Sequence, residues 1–195
     1  MSEFLTYFQF GLEHILDKDG YDHILFVIAL CAVYVASDWK RVLVLITAFT
    51  IGHSITLAMA TLDVFTFNKE LIEFLIPVTI LLTALGNIFK KESRLYSSKL
   101  QVNYILAIVF GLIHGLGFSS FLRAITGRDE SIVSQLLAFN IGLEIGQIII
   151  VAIFLIISFI LVDIFGVSRR DWRLVVSSAI GGMALLLIIE SEFLN

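Results

Sequence analysis

The sequence predicts an all-α polytopic membrane helix bundle, and three observations support this. Hydrophobic residues make up 58% of the chain and charged residues 15%, whereas soluble domains carry roughly half and a quarter. The mean hydropathy is +0.97. Apolar runs long enough to cross a bilayer recur along the 195 residues. We therefore expect a single transmembrane domain over residues 1–195, with six spans and an N-terminal interfacial helix, or seven helices in all.

The first segment, residues 1–19, predicts an amphipathic helix at the membrane interface. Its apolar residues recur at near-helical spacing, and they are Phe4, Leu5, Phe8, Leu12 and Ile15. The polar stretch from Asp17 to Gly20 is expected to end this helix. Six spans then follow at about 21–37, 41–62, 70–89, 101–123, 132–165 and 173–191. The run 132–165 is too long for one vertical helix, and either one tilted or kinked helix or two helices would fit it.

The basic residues predict the orientation. With the first span running inward, the inner loops hold nine cations: Lys40, Arg41, Lys90, Lys91, Arg94, Lys99, Arg169, Arg170 and Arg173. The outer side holds only Lys18, Lys69, Arg123 and Arg128. The positive-inside rule then places both termini outside in a multi-pass inner-membrane protein.

Composition also limits the partners. The net charge of -4 is spread over short loops without a basic stripe, so nucleic acid is not expected as a partner. Membrane lipid is the expected surrounding, and the sequence indicates no protein partner. Cys31, the single cysteine, cannot form an internal disulfide.

Ionisable residues inside the spans are the strongest functional signal, because each costs several kcal/mol in hydrocarbon by most estimates. His53 and His114 stand in the second and fourth spans beside Gly52 and Gly115, which allow close helix approach. Each could instead be a simple hydrogen bonder between helices. Their occurrence together favours one shared site.

The fifth span adds a carboxylate on a polar face. Asn140, Glu144 and Gln147 fall at i, i+4 and i+7 and share one helix face. Glu144 is a candidate ligand or proton carrier, because a carboxylate in low dielectric has a raised pKa. Asn140, Gln147 and Ser54 are predicted to orient the ligand side chains through hydrogen bonds without binding the metal themselves.

Two further histidines stand nearer the outer surface. His23 follows Asp22 at the mouth of the first span, and Asp22 could cap that helix, ligate, or do both. His14 lies beside Glu13 on the interfacial segment, where a solvated histidine and a ligand are both open readings. We expect a pocket in the outer half of the membrane with Asp22 and His23 at its entrance and His53 and His114 about 10 to 15 Å down.

Imidazole and carboxylate ligands suit Ni²⁺, Co²⁺, Zn²⁺ or Fe²⁺, and the lack of paired cysteines or a methionine track speaks against Cu⁺. Histidine must be unprotonated to bind a metal, so the site should weaken as pH falls.

Four stretches together resemble the HupE/UreJ family of bacterial membrane proteins. They are Gly20–Phe26, Phe49–Leu57, Phe110–Phe118 and Phe139–Gln147, in order on successive spans. The resemblance implies a six-to-seven-helix inner-membrane protein regarded as a nickel or cobalt permease, associated in some members with hydrogenase or urease. It carries over Asp22, His23, His53, His114 and Glu144 as functional residues.

Three functions stay open from the sequence. One is a divalent-metal transporter for nickel or cobalt. Another is an intramembrane hydrolase or transferase, in which His23, His53 and His114 hold a zinc cofactor and Glu144 or Asp22 is the catalytic base. The third is an accessory subunit whose polar residues only join helices.

Overall fold

The computed structural model describes residues 2–17, 20–64, 67–90, 100–125 and 132–194. Over these residues the chain forms seven α-helices and no strand, which confirms the predicted all-α bundle. The helices are α1 (Glu3–Leu16), α2 (Asp22–Cys31), α3 (Trp39–Thr61), α4 (Lys69–Ile88), α5 (Leu100–Ile125), α6 (Ile132–Ser158) and α7 (Arg169–Ile189). Among the cations used to predict orientation, Lys18, Lys91, Arg94, Lys99 and Arg128 lie outside the described residues.

Four helical segments are long and apolar enough to cross a membrane, namely Ala36–Thr61, Lys69–Ile88, Ile132–Ile164 and Arg169–Ile189. Two shorter apolar helical stretches, Asp22–Cys31 and Asn103–Phe118, accompany them. The long run left open by the sequence is continuous, since α6 passes directly into a π-helical end at Phe159–Ile164. The chain is therefore a membrane helix bundle.

Helices α3 and α5 form a parallel pair in direct backbone contact. A Cβ added at Gly111 would collide with the carbonyl oxygen of Phe49, and one at Gly115 would collide with that of His53. Gly52 meets the carbonyl oxygen of Ile108 in the same way. Only glycine allows this approach, which brings the middles of the two helices together.

Helix α1 lies lengthwise against α6, and glycines again permit the contact. Gly11 meets the carbonyl oxygen of Phe139, and Gly142 meets that of Phe8. Glu3 Oε1 accepts a 2.6 Å hydrogen bond from Gln135 Nε2 near the start of both helices, and Ile15 meets Gly146 further along both, so α1 runs parallel to α6. The amphipathic pattern predicts an interfacial position for this segment, and in the structure close glycine contacts hold α1 lengthwise against α6.

Helix α2 continues from the level where α1 stops. The carbonyl oxygen of Ala29, near the end of α2, accepts a 2.7 Å hydrogen bond from Asn87 Nδ2 at the end of α4. With 14 and 10 residues, α1 and α2 are about 21 and 15 Å long, and neither alone spans a core of about 30 Å. The chain is interrupted between these two short helices, and α2 carries it on to the end of α4.

The observed α2 is shorter than the predicted span 21–37. After Cys31 the chain turns, because the Tyr34 amide donates to the Cys31 carbonyl and Val35 adopts an extended conformation. Tyr34 is buried, and its hydroxyl accepts a 3.3 Å hydrogen bond from Asn103 on α5. This contact with α5 holds the non-helical residues in place.

The two ends of the bundle differ in charge. We call the end where α2 finishes and α3 and α7 begin the basic end, because it holds Arg41, Lys90, Arg169, Arg170 and Arg173. Helix α4 pairs with α7, with Gly181 beside Ala84, and brings Lys90 to this end.

Candidate metal centre

The four histidines of the chain converge at the middle of the bundle. His14 lies near the end of α1, His23 near the start of α2, and His53 and His114 midway along α3 and α5. The ring centroids of His14 and His23 are 4.5 Å apart, and those of His23 and His114 are 5.2 Å apart. The His53 ring lies 6.2 Å from both His14 and His23. We call these four side chains the imidazole cluster.

Three of the imidazoles have the spacing of a metal site. One ring nitrogen from each of His14, His23 and His53 can be chosen so that all three lie within 4.8 Å of one another. Tetrahedral ligation at about 2.0–2.1 Å needs ligand nitrogens about 3.4 Å apart. Small side-chain rotations would close this gap without moving a helix.

The cluster is buried, with one member at its edge. His23 is 5% exposed and His53 and His114 are 0% exposed, while His14 is half-buried. The sequence placed His23 and Asp22 at an outer mouth, but the structure brings His23 level with His53 and His114. The reason is that α1 runs down the bundle before α2 begins.

Asp22 sets the tautomer of His23. Its Oδ1 lies 3.0 Å from His23 Nδ1 and also accepts a 2.9 Å hydrogen bond from the His23 amide. A carboxylate accepts hydrogen bonds, so Nδ1 carries the ring proton and Nε2 keeps its lone pair. This is the usual way in which an acidic neighbour orients a metal-binding histidine.

Thr79 on α4 does the same for His114. The Thr79 hydroxyl donates to the Ile76 carbonyl at 2.7 Å and lies 3.0 Å from His114 Nε2. Its single proton is thus already used, so Nε2 donates to the hydroxyl oxygen and Nδ1 keeps the lone pair. Sequence reasoning missed Thr79, although it follows Pro77, the only proline of the chain, and helical prolines are often accompanied by nearby hydroxyls.

The ring nitrogens facing the centre make no hydrogen bond to any described residue. They are His14 Nε2, His23 Nε2, both nitrogens of His53, and His114 Nδ1. Buried polar atoms are nearly always partnered, and leaving one unpaired costs about 1–3 kcal/mol. Each neutral ring offers one lone pair, so these four rings can present up to four nitrogen lone pairs, which suits a divalent transition metal.

The other side chains that the sequence predicted for the site form hydrogen bonds away from the imidazole cluster. Glu144 Oε1 accepts a 2.7 Å hydrogen bond from Thr47 on α3, and Gln147 Oε1 accepts one of 2.8 Å from Thr50. Ser54 and Asn140 donate to backbone carbonyls one turn back in their own helices, those of Thr50 and Leu136. Within the described part of the chain none of these bonds reaches an imidazole, and Glu144 does not join the three-histidine group.

An acidic surface pocket adjoins the cluster through His14. This cavity of about 690 Å³ is lined by Phe10, Leu12, Glu13, His14, Leu16, Asp17 and Phe118. The Glu13 and Asp17 carboxylates are exposed, and Gln9 Nε2 donates to Glu13 at 2.7 Å. Two carboxylates at a pocket mouth attract cations, and His14 is the cluster member that faces them.

On the basic-end side, three phenylalanines cover the cluster. Each lies about one helical turn from a histidine: Phe26 from His23, Phe49 from His53, and Phe110 from His114. The ring of Phe26 packs 4.9 Å from Phe49, 5.9 Å from Phe110 and 4.8 Å from His114. We call Phe26, Phe49 and Phe110 the aromatic layer. The cluster is therefore bordered by a polar pocket on one side and closed by rings on the other.

Comparison with known proteins gives one result. The model of the family described as HupE / UreJ protein matches residues 1–191, which is nearly the whole chain. No curated protein and no solved structure matches it.

Proposed function

The chain belongs to the HupE/UreJ family, and from this membership and the imidazole cluster we propose that it transports a divalent transition-metal ion, nickel or cobalt, across the membrane. The observation that carries the proposal is the unbroken row of imidazoles from the acidic pocket into the bundle. Neighbouring rings along His14, His23 and His114 are 4.5 and 5.2 Å apart. At this spacing an ion can bind the next imidazole before it has left the previous one.

The proposed route starts at the acidic pocket. Glu13 and Asp17 concentrate cations there, and half-buried His14 is the first imidazole an ion meets. His23 and His53 complete the nitrogen set, and His114 with Thr79 extends it inward. Neutral imidazoles favour Ni²⁺, Co²⁺ and Zn²⁺ over Mg²⁺ and Ca²⁺, which prefer oxygen ligands.

The aromatic layer is the proposed barrier. Phe26 and Phe49 are 0% and 1% exposed, so solvent does not reach these two rings from the basic end. An ion can leave in that direction only if the rings separate. In the conformation described above, the ion enters the cluster from the acidic pocket. Transport then requires a second conformation in which the aromatic layer is open.

We further propose the bacterial inner membrane as the location, with the basic end facing the cytoplasm. The concentration of Arg and Lys at this end supports the assignment through the positive-inside rule. Both termini then lie on the outer side, and the acidic pocket opens at the side of the bundle beside the end of α1.

Uptake of Ni²⁺ and Co²⁺ into proteoliposomes tests the proposal. We expect the wild-type protein to accumulate ion, His53→Ala to be inactive, and Ser177→Ala to behave as wild type, because Ser177 is a buried polar residue of α7 outside the cluster. Folding of each variant is checked by its unfolding temperature. Equal uptake by wild type and His53→Ala would reject the transport proposal.

The closed aromatic layer favours a second candidate, a metal-dependent hydrolase or transferase acting on lipid or lipoprotein with zinc as resident cofactor. Asp22 is engaged in orienting His23, and Glu144 is bound to Thr47, so neither predicted base stands free at the cluster. Metal analysis separates the two functions. An enzyme retains stoichiometric zinc through purification and shows no uptake, whereas a transporter exchanges its ion and accumulates it.

A structural accessory role is the third function left open by the sequence. It predicts equal thermal stability with and without added metal, because the polar residues would then only join helices. Metal-dependent stabilisation lost in His53→Ala would exclude it.

A further inference from the structure

A second built site lies at the basic end, away from the imidazole cluster. A cavity of about 210 Å³ opens between the end of α2, the turn before α3, the end of α4 and the start of α7. Its lining includes the five cations of the basic end and one carboxylate, Asp38. Liquid water occupies about 30 Å³ per molecule, so the cavity has room for a group much larger than a single water.

The charge of the cavity is not balanced by its own residues. Arg41 forms a 3.0 Å ion pair with Asp38, and no other carboxylate of the described residues lines the cavity. Burial and the neighbouring Arg173 lower the pKa of Lys90. An anion in the cavity would relieve this crowding of positive charge.

Two buried donors of the lining are unpartnered. Arg173 is only 5% exposed, and its Nε makes no hydrogen bond within the described residues. The indole Nε1 of Trp172 is buried and equally unpartnered. Burying an arginine without an acceptor is costly, so both N–H groups indicate an acceptor that binds there.

From these features we propose that the basic-end cavity binds a phosphate-bearing anion, with Arg173 and Trp172 as its buried donors and Lys90 and Arg170 as further positive charge. Arginine presents a fork of N–H donors that matches phosphate oxygens. Two sources share this chemistry, a phospholipid headgroup and free phosphate. Trp172 and Tyr34 in the lining are aromatic residues of the kind that sit at headgroup level, and basic pockets between helix ends bind anionic lipids.

The test titrates purified protein in phosphate-free buffer with short-chain phosphatidylglycerol, inorganic phosphate or oleate, and measures the unfolding temperature. We expect stabilisation by phosphatidylglycerol, inorganic phosphate or both, but not by oleate, which is anionic and lacks phosphate. Stabilisation by phosphatidylglycerol alone identifies a lipid headgroup, whereas stabilisation by inorganic phosphate identifies a soluble anion. No response, or an equal response to oleate, overturns the proposal.

Three variants locate the binding. Arg173→Gln should weaken it about tenfold or more, because it removes a charged buried donor. Trp172→Phe removes the indole N–H, retains an aromatic ring to pack on Phe154 and should weaken binding several-fold. If Arg173→Gln fails to fold, the Trp172→Phe variant tests the site by itself.

Lys40→Gln is the matched control. Lys40 lies at the same end over the Trp39 ring and outside the cavity, so the variant loses the same charge without losing a lining residue. Its affinity should equal that of the wild type. An equal loss in Lys40→Gln and Arg173→Gln would mean general surface attraction and would overturn the proposal.

Discussion

The middle of this bundle is suited to a metal cation and the basic end to an anion, and the two regions use different side chains. The imidazole cluster offers ligands that are neutral when they bind a metal, and its acidic residues stand at the rim, in Asp22 and the pocket of Glu13 and Asp17. The basic-end cavity offers permanent charges, with only Asp38 to oppose them. The more deeply buried of the two regions therefore uses the less charged ligands.

The cost of burying charge explains this division. Imidazole can stand in an apolar bundle without a counter-ion, whereas arginine there would need one. Arginine is tolerated at helix ends, where its charged group can reach water and lipid headgroups. The position of a site along the bundle thus limits which side chains can build it and which ion it binds.

The largest effect should follow from removing the most completely unsatisfied ligand. His53→Ala should lower metal affinity by more than about a hundredfold, because losing even an orienting neighbour costs about 10–100-fold. Isothermal titration of detergent-purified protein with Ni²⁺ measures it. Binding at the basic end should be unchanged, and a parallel loss there would show that the two regions are not independent.

A second effect tests the packing on which the cluster depends. Gly111→Ala should destabilise the protein by about 1–3 kcal/mol, because the new methyl group meets the Phe49 carbonyl on α3. Gly86→Ala is the matched control, since no atom lies within 4 Å of a Cβ placed there. Its unfolding temperature should be equal or higher. Equal destabilisation of both variants would contradict backbone contact between α3 and α5.

The paired carboxylates of the two regions allow a direct comparison. Asp22→Asn should weaken metal binding about 10–100-fold, because the amide is uncharged and can present an N–H as well as an oxygen to Nδ1, so the tautomer of His23 is no longer fixed. Asp38→Asn breaks the ion pair with Arg41 at the basic end and should leave metal affinity unchanged. Metal titrations of both variants decide the matter, and similar affinities for the two would refute the orienting role of Asp22.

The smallest effect is expected at Thr79. Thr79→Val removes the acceptor of His114 and should weaken metal binding by about tenfold at most, which is the lower end for an orienting neighbour. Thr83→Val is its control, one turn along α4, where the hydroxyl donates only to the Thr79 carbonyl. If both variants bind metal equally well, His114 does not depend on Thr79.

Much of the architecture was predictable because hydropathy and ionisable residues are local properties. The six apolar runs correspond to α2 through α7, and His53 and His114 stood out because each lay inside such a run. The amphipathic pattern of α1 was equally visible. Its orientation was not, since that depends on Gly11 meeting Phe139, a contact between residues far apart in sequence.

The same limit explains what the sequence suggested about individual site residues. His14 had exposed neighbours, and only the packing of α1 against α6 brings it to His23. Glu144 shared a helix face with Asn140 and Gln147, but this face turns to the threonines of α3. Thr79 carried no sign of its contact with His114, because a threonine in an apolar helix usually bonds within its own helix.

The interruption between α1 and α2 has a consequence for how the chain enters the membrane. The ten residues of α2, which include Asp22 and His23, are too few to be retained as a span by themselves. The preceding α1 is amphipathic and packs through Gly11 against α6, which is synthesised more than a hundred residues later. The final contacts of α1 can therefore form only after α6 has been synthesised, so we expect the N-terminal helices to take their lasting positions late.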